Sequence, residues 1–127
     1  MTGLVLLSLW FSGAEPPGCE LVVVPFALDS SAIRDRAHEA LRHDAECIKK
    51  RGGGVRIEGH VGEAMTREYA MALGERRARA VKQWLVGAGI SADWLKTVSY
   101  GREKPRCTAK TPACARKNSR VELRFAE

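Results

Sequence analysis

Apolar positions recur along the chain with two periods. From Tyr69 to Leu85, "YAMALGERRARAVKQWL", residues Tyr69, Leu73, Ala80, Val81, Trp84 and Leu85 gather on one side of a helix. Thr66 stands where such a helix takes its N-cap, and Gly87 and Gly89 stand where it ends. An earlier helix is predicted from Ile33, Ala37, Ala40, Leu41, Ala45 and Ile48, with Asp29, Ser30 and Ser31 as N-cap candidates. Lys49, Lys50 and Arg51 suit the negative end of its dipole, and Gly52-Gly53-Gly54 stops it. Four segments alternate or are β-branched and read as strands: Glu20–Phe26, Val55–Gly59, "LKTVSYG" from Leu95, and Arg120–Phe125. The stretch "TAKTPA", with Pro112, reads as a loop.

This order, β-α-β-α-β-β, predicts an α+β fold: a two-layer sandwich with the helices on one face of a mixed sheet. On the opposite face Arg56, Glu58, Lys96, Glu122 and Arg124 alternate outward, and that charged face is expected to be solvated.

One residue breaks the pattern. Arg77 falls in the apolar stripe of the second helix, four residues after Leu73 and four before Val81, while Arg76, Arg79 and Lys82 point elsewhere. A guanidinium on a packing face is costly unless it meets an anion and fills its hydrogen bonds. Periodicity leaves two readings open. Arg77 pairs internally, with Asp44 a candidate because it too interrupts an apolar stripe, or it meets a ligand carboxylate at the floor of a pocket.

Composition narrows the class. The chain has 127 residues, 45% hydrophobic and 28% charged, enough for one domain. The net charge of +6 allows an anionic partner. No basic stripe with interleaved aromatics points to nucleic acid. No nucleophile–base pair, metal-ligand set or carboxylate pair points to an enzyme, a metal or another cofactor, since His38, His43 and His60 are scattered. Residues 1–14 read as an export signal, with an apolar run from Leu4 to Phe11 closed by Ser12-Gly13-Ala14, although no Lys or Arg precedes it. Residues 15–19 form a short linker and 20–127 the domain. After export the four cysteines suggest two disulfides, Cys107–Cys114 across a short loop and Cys19–Cys47 at the start of the fold. A lipid on Cys19 is the competing reading, but "EPPGC" lacks the residues of a lipobox.

Several motifs then occur in a familiar order. They are Glu58-Gly59-His60, Leu73-Gly74-Glu75-Arg76-Arg77-Ala78 followed by Val81 and Leu85, "SYG" at 99–101 with Pro105, and "KNSRVEL" from Lys117. With "FALDSSAIR" from Phe26, they resemble the OmpA-like C-terminal domain, the module shared with Pal lipoproteins, over residues 20–127. The resemblance implies a non-catalytic module that binds peptidoglycan and tethers the outer membrane or an envelope complex to the wall. It places the chain in the periplasm, or at the outer membrane, of a Gram-negative bacterium. The family arginine that takes the carboxylate of diaminopimelate corresponds to Arg77, and Asp29 lies where the family lines the same pocket.

Two departures qualify this. The family's "GHTD" aspartate, partner of the ligand ammonium, is replaced by Gly62, and the asparagine ahead of "LS" by Ala70. Glu63, one residue on, either bends into the gap or stays an exposed loop carboxylate. The implied site is therefore Arg77, Asp29 and Glu63. The alternative is a protein-interaction or structural domain with weakened or lost wall binding, in which Arg77 is satisfied internally.

Overall fold

The computed structural model describes residues 19–126, so the expected export signal and most of the linker lie outside the described residues. In chain order the elements are β1 (Val24–Pro25), α1 (Asp35–Arg51), β2 (Val55–His60), α2 (Arg67–Gly87), a 3-10 turn (Ala92–Trp94), β3 (Leu95–Gly101), α3 (Pro112–Asn118) and β4 (Arg120–Phe125). The sheet runs β1-β4-β2-β3. β2 and β3 are parallel, whereas β4 is antiparallel to both β1 and β2. This is the predicted α+β arrangement, with α3 added.

The first strand is shorter than predicted for a local reason. Val22 gives its N–H to the Asp44 carboxylate at 2.8 Å instead of to a neighbouring strand. Pro25 has no N–H to give. The first helix likewise starts later, at Asp35, with no side-chain cap. The expected cap residues are used in a turn before it, where Asp29 takes φ 54° and the Ser30 hydroxyl accepts from Ala32 N–H. Thr66 does cap α2, accepting from Tyr69 N–H at 3.1 Å. The stretch read as a loop contains α3, capped by Thr111 with Pro112 in its first turn.

Val24, Leu41, Ile48, Val55, Ile57, Val81, Leu85 and Val121 are at most 1% exposed and form the main core between helices and sheet. Val61, Ala70 and Leu73 form a smaller cluster at the end of β2. α2 reaches the sheet very closely at Gly59 and Gly74. A Cβ on Gly59 would overlap the Gly74 carbonyl, and one on Gly74 would overlap the Ser99 hydroxyl. Gly74 thereby presses the next turn of α2, which carries Arg77, onto the end of β2.

Both expected disulfides are present, Cys19–Cys47 and Cys107–Cys114. The Cys19 sulfur is thus engaged with Cys47, as the disulfide reading expected. No helix among the described residues is long and apolar enough to cross a membrane.

The outer sheet face is not simply solvated, contrary to the alternation argument. Glu58 is 3% exposed, His60 2% and Arg120 3%. Pairing sets Glu58 beside Glu122, His60 beside Arg120 and Arg56 beside Arg124. Tyr100, near the end of β3, stacks on His60 at 5.5 Å, and in the chain after β3 the Lys104 carbonyl accepts from Arg120. Arg56, Lys96 and Arg124 are exposed, as expected.

Candidate functional site

Arg77 is completely buried, and its five N–H groups all find acceptors. Nε donates to the Ser30 carbonyl at 2.8 Å. Nη1 donates to the His60 carbonyl at 2.9 Å and Nη2 to the Ala27 carbonyl at 3.0 Å. The turn that displaced the start of α1 is therefore a cradle for this guanidinium. The Phe26 ring lies 5.5 Å from its centre.

The anion that compensates it is Glu63. Oε2 accepts from Nη2 at 2.6 Å and Oε1 from Nη1 at 3.5 Å. The same carboxylate accepts from Ser119 Oγ and Gly62 N–H, both at 2.9 Å, and from Asp29 N–H. Its side chain is only 10% exposed. Burial alone would raise the Glu63 pKa, but the hydrogen bonds from Arg77 and Asp29 N–H outweigh it and hold the carboxyl below its ordinary 4.5. Glu63 thus bends into the gap and is not an exposed loop carboxylate. Asp44, the other candidate partner, bonds Val22 instead.

Gly62 explains the shift of the acid by one position. A Cβ there would overlap the Ala115 carbonyl and lie 2.6 Å from the Asn118 Cβ. α3 is packed directly on this residue, so no side chain fits.

Asp29 is exposed beside this carboxylate seat, and Tyr69 Oη reaches its Oδ1 at 3.5 Å. Tyr69 was expected on the buried stripe but is 46% exposed, a rim residue with Arg76 5.8 Å over its ring. The three predicted site residues therefore meet. Periodicity could not supply the carbonyl cradle or Ser119. The signal for Ser119 lay in "KNSRVEL", where serine stands in place of the second basic residue of the family's "KNRRVEL".

Glu58, His60 and Glu122 place potential ligand atoms within 4.8 Å of one another on the outer face. Both carboxylates are already held by guanidinium groups: Glu58 by Arg56 and Arg124, Glu122 by Arg120 and Arg124. Three arginines against two acids leave no excess negative charge for a cation. Burial and Arg120 push the His60 pKa down to about 4 despite Glu122 and Glu58, so the ring is neutral at pH 7.

The OmpA family profile matches residues 25–120. The chain belongs to the OmpA family. Among curated relatives, it is 46% identical over 99 residues to the peptidoglycan-associated lipoprotein of Pseudomonas aeruginosa, covering 78% of this chain and 59% of that protein. It is 41% identical over 97 residues to that of Rhizobium meliloti, covering 76% and 55%. This OmpA-family chain therefore spans somewhat over half the length of the curated relatives it matches. The crystal structure of the peptidoglycan-associated lipoprotein from Burkholderia pseudomallei superposes with a TM-score of 0.79 at 29% identity, covering 91% of this chain and 98% of that one. The C-terminal domain of Helicobacter pylori MotB shares the fold, with a TM-score of 0.77 at 22% identity over 85% and 86% of the two chains.

Proposed function

We propose that this OmpA-family chain is a non-catalytic module of the Gram-negative envelope that binds peptidoglycan through the diaminopimelate-bearing stem peptide. The observation that carries the reading is the carboxylate seat on Arg77. A buried guanidinium, two backbone N–H groups and a serine hydroxyl converge on one carboxylate, at a rim formed by Asp29 and Tyr69. Glu63 fills that seat in the free protein. A ligand carboxylate enters by replacing Glu63, an exchange of like for like in which Arg77 never stands unpaired. Glu63, released toward the rim, joins Asp29 in facing the ligand ammonium, which supplies the cation-binding half that Gly62 lacks.

The saturation of Arg77 favours a second reading, an interaction or structural domain in which Glu63 stays in place permanently. Co-sedimentation with insoluble diaminopimelate-type peptidoglycan separates the two. Under the first reading the parent protein pellets at about 0.15 M salt and at higher salt. Asp29→Ala and Tyr69→Ala, both exposed positions, then lose most of the pelleting while keeping the parent's melting temperature. If the parent stays in solution, the second reading holds.

A further inference from the structure

A groove of about 920 Å³ lies between the start of α1 and α3, with β1 at its base. Its floor is apolar and open to solvent, with Val23 at 37% and Leu28 at 41% exposure, continued by Pro25, Ala40 and Ala113. Around it stand five exposed cations, Arg34, Arg36, Arg106, Arg116 and Lys117, against the single acid Asp35. None of the five side chains has an ion-pair or hydrogen-bond partner among the described residues. Elsewhere in the fold several cations are paired, Arg77 with Glu63, Arg79 with Glu75, Arg120 with Glu122 and Arg124 with Glu58.

We propose that this groove docks an extended segment of a partner protein in which Asp or Glu side chains alternate with apolar ones. The cations select the acids, and the exposed Val23 and Leu28 select the apolar side chains. A phosphate or sugar polymer would satisfy the rim and leave the floor uncovered. β1 is an edge strand, but it is two residues long and Pro25 offers no N–H. Side chains, not a backbone ladder, therefore hold the segment. The groove lies behind the wall site and shares its structure. Ala27 lines the groove while its carbonyl accepts from Arg77, and Ser119 lines it while its hydroxyl holds Glu63.

The test is fluorescence anisotropy with a labelled peptide of alternating Glu and Leu, beside a polyglutamate of the same length. The Glu–Leu peptide binds saturably at about 0.15 M salt, and polyglutamate binds much more weakly. The double charge reversal Arg34→Glu/Arg116→Glu weakens the peptide by roughly tenfold or more. Leu28→Asp weakens it as well, and peptidoglycan pelleting is unchanged in both variants. Equal binding of polyglutamate, insensitivity to the charge reversal, or no binding by folded parent protein would each overturn the proposal. Loss of peptidoglycan pelleting in the same variants would make the groove an arm of the wall site, and would also overturn it.

Discussion

Truncating Glu63 to alanine takes away the only carboxylate that meets Arg77 among the described residues, leaving a guanidinium with no exposed surface. Breaking a buried pair from one side costs about 3–5 kcal/mol, because the remaining charge stays desolvated. Three carbonyls still accept from Arg77, and the Glu63 side chain borders the surface, so water can enter the space it leaves. The expected loss is therefore at the low end, about 3 kcal/mol in urea denaturation at pH 7. A cycle with Arg77→Met isolates the pair, and the double variant should lose at least about 2 kcal/mol less than the two single losses added together. Acetate offers a second readout. If the vacated seat is a carboxylate site, acetate stabilises Glu63→Ala by about 1.4 kcal/mol at ten times its Kd and leaves the parent unmoved against a chloride control. The pH dependence has a fixed sign: Glu63 has a depressed pKa in the fold, so its contribution is present above pH 4.5 and fades as pH falls below that value. The gap between parent and Glu63→Ala must narrow in acid. A coupling under about 0.5 kcal/mol, with no acetate effect, would refute the seat as an energetic unit.

Asp44 supplies a pH effect of opposite sign. Burial lifts its pKa from 3.8 to about 7, against the pull of the Val22 N–H and His43. The folded state then holds the proton more tightly than the unfolded chain, so the penalty is absent below pH 3.8 and grows up to pH 7. Asp44→Asn should gain on the parent by up to about 4 kcal/mol between pH 4 and 7.5 in urea melts; a pH-independent gap would contradict this. The disulfides rank by loop length, spanning 28 and 7 residues. Removing Cys19–Cys47 should cost about 3.6 kcal/mol and Cys107–Cys114 about 2.5, read as denaturation midpoints of the double-serine variants. Gly62→Asp, which restores the family acid, should destabilise by about 2 kcal/mol or more because the side chain collides with α3; an unchanged melting temperature would refute that packing.

The main helices and the four strands could be read from the sequence, most clearly where an element buries one regular face. Val81 and Leu85 on α2, like Val121 and Leu123 on β4, carry the period of their element. β1 was legible as a strand but not in its length, because Val22 gives its N–H to Asp44 instead of to a neighbouring strand, a side-chain contact that is not periodic. α3 has seven residues, too few to show a period, and only Thr111-Pro112 announced it. The buried Glu58, His60 and Arg120 alternate as a wetted face would, since what covers them is the Tyr100 ring from β3 and the irregular chain at Lys104. At the site, periodicity singled out Arg77, and the family resemblance gave it a role. Glu63 and Ser119 reach it from separate segments, a relation that only the tertiary fold supplies.

These contacts form one chain of cause. The Cys107–Cys114 disulfide ties the segment before α3 to its first turn. Asn118, at the other end of α3, closes the same loop, accepting from Arg106 and Cys107 N–H and donating to the Cys107 carbonyl. So held, α3 lies on residue 62 and admits only glycine there. It also brings Ser119 to the carboxylate of residue 63. The acid on Arg77 consequently comes from the next residue, with a longer side chain. Gly62→Asp and loss of the disulfide are therefore not additive. In the Cys107→Ser/Cys114→Ser background α3 can yield, and the cost of Gly62→Asp should fall by about 1 kcal/mol or more. Additive losses would mean that Asn118 alone fixes α3, and that the disulfide has no part in deciding which residue faces Arg77.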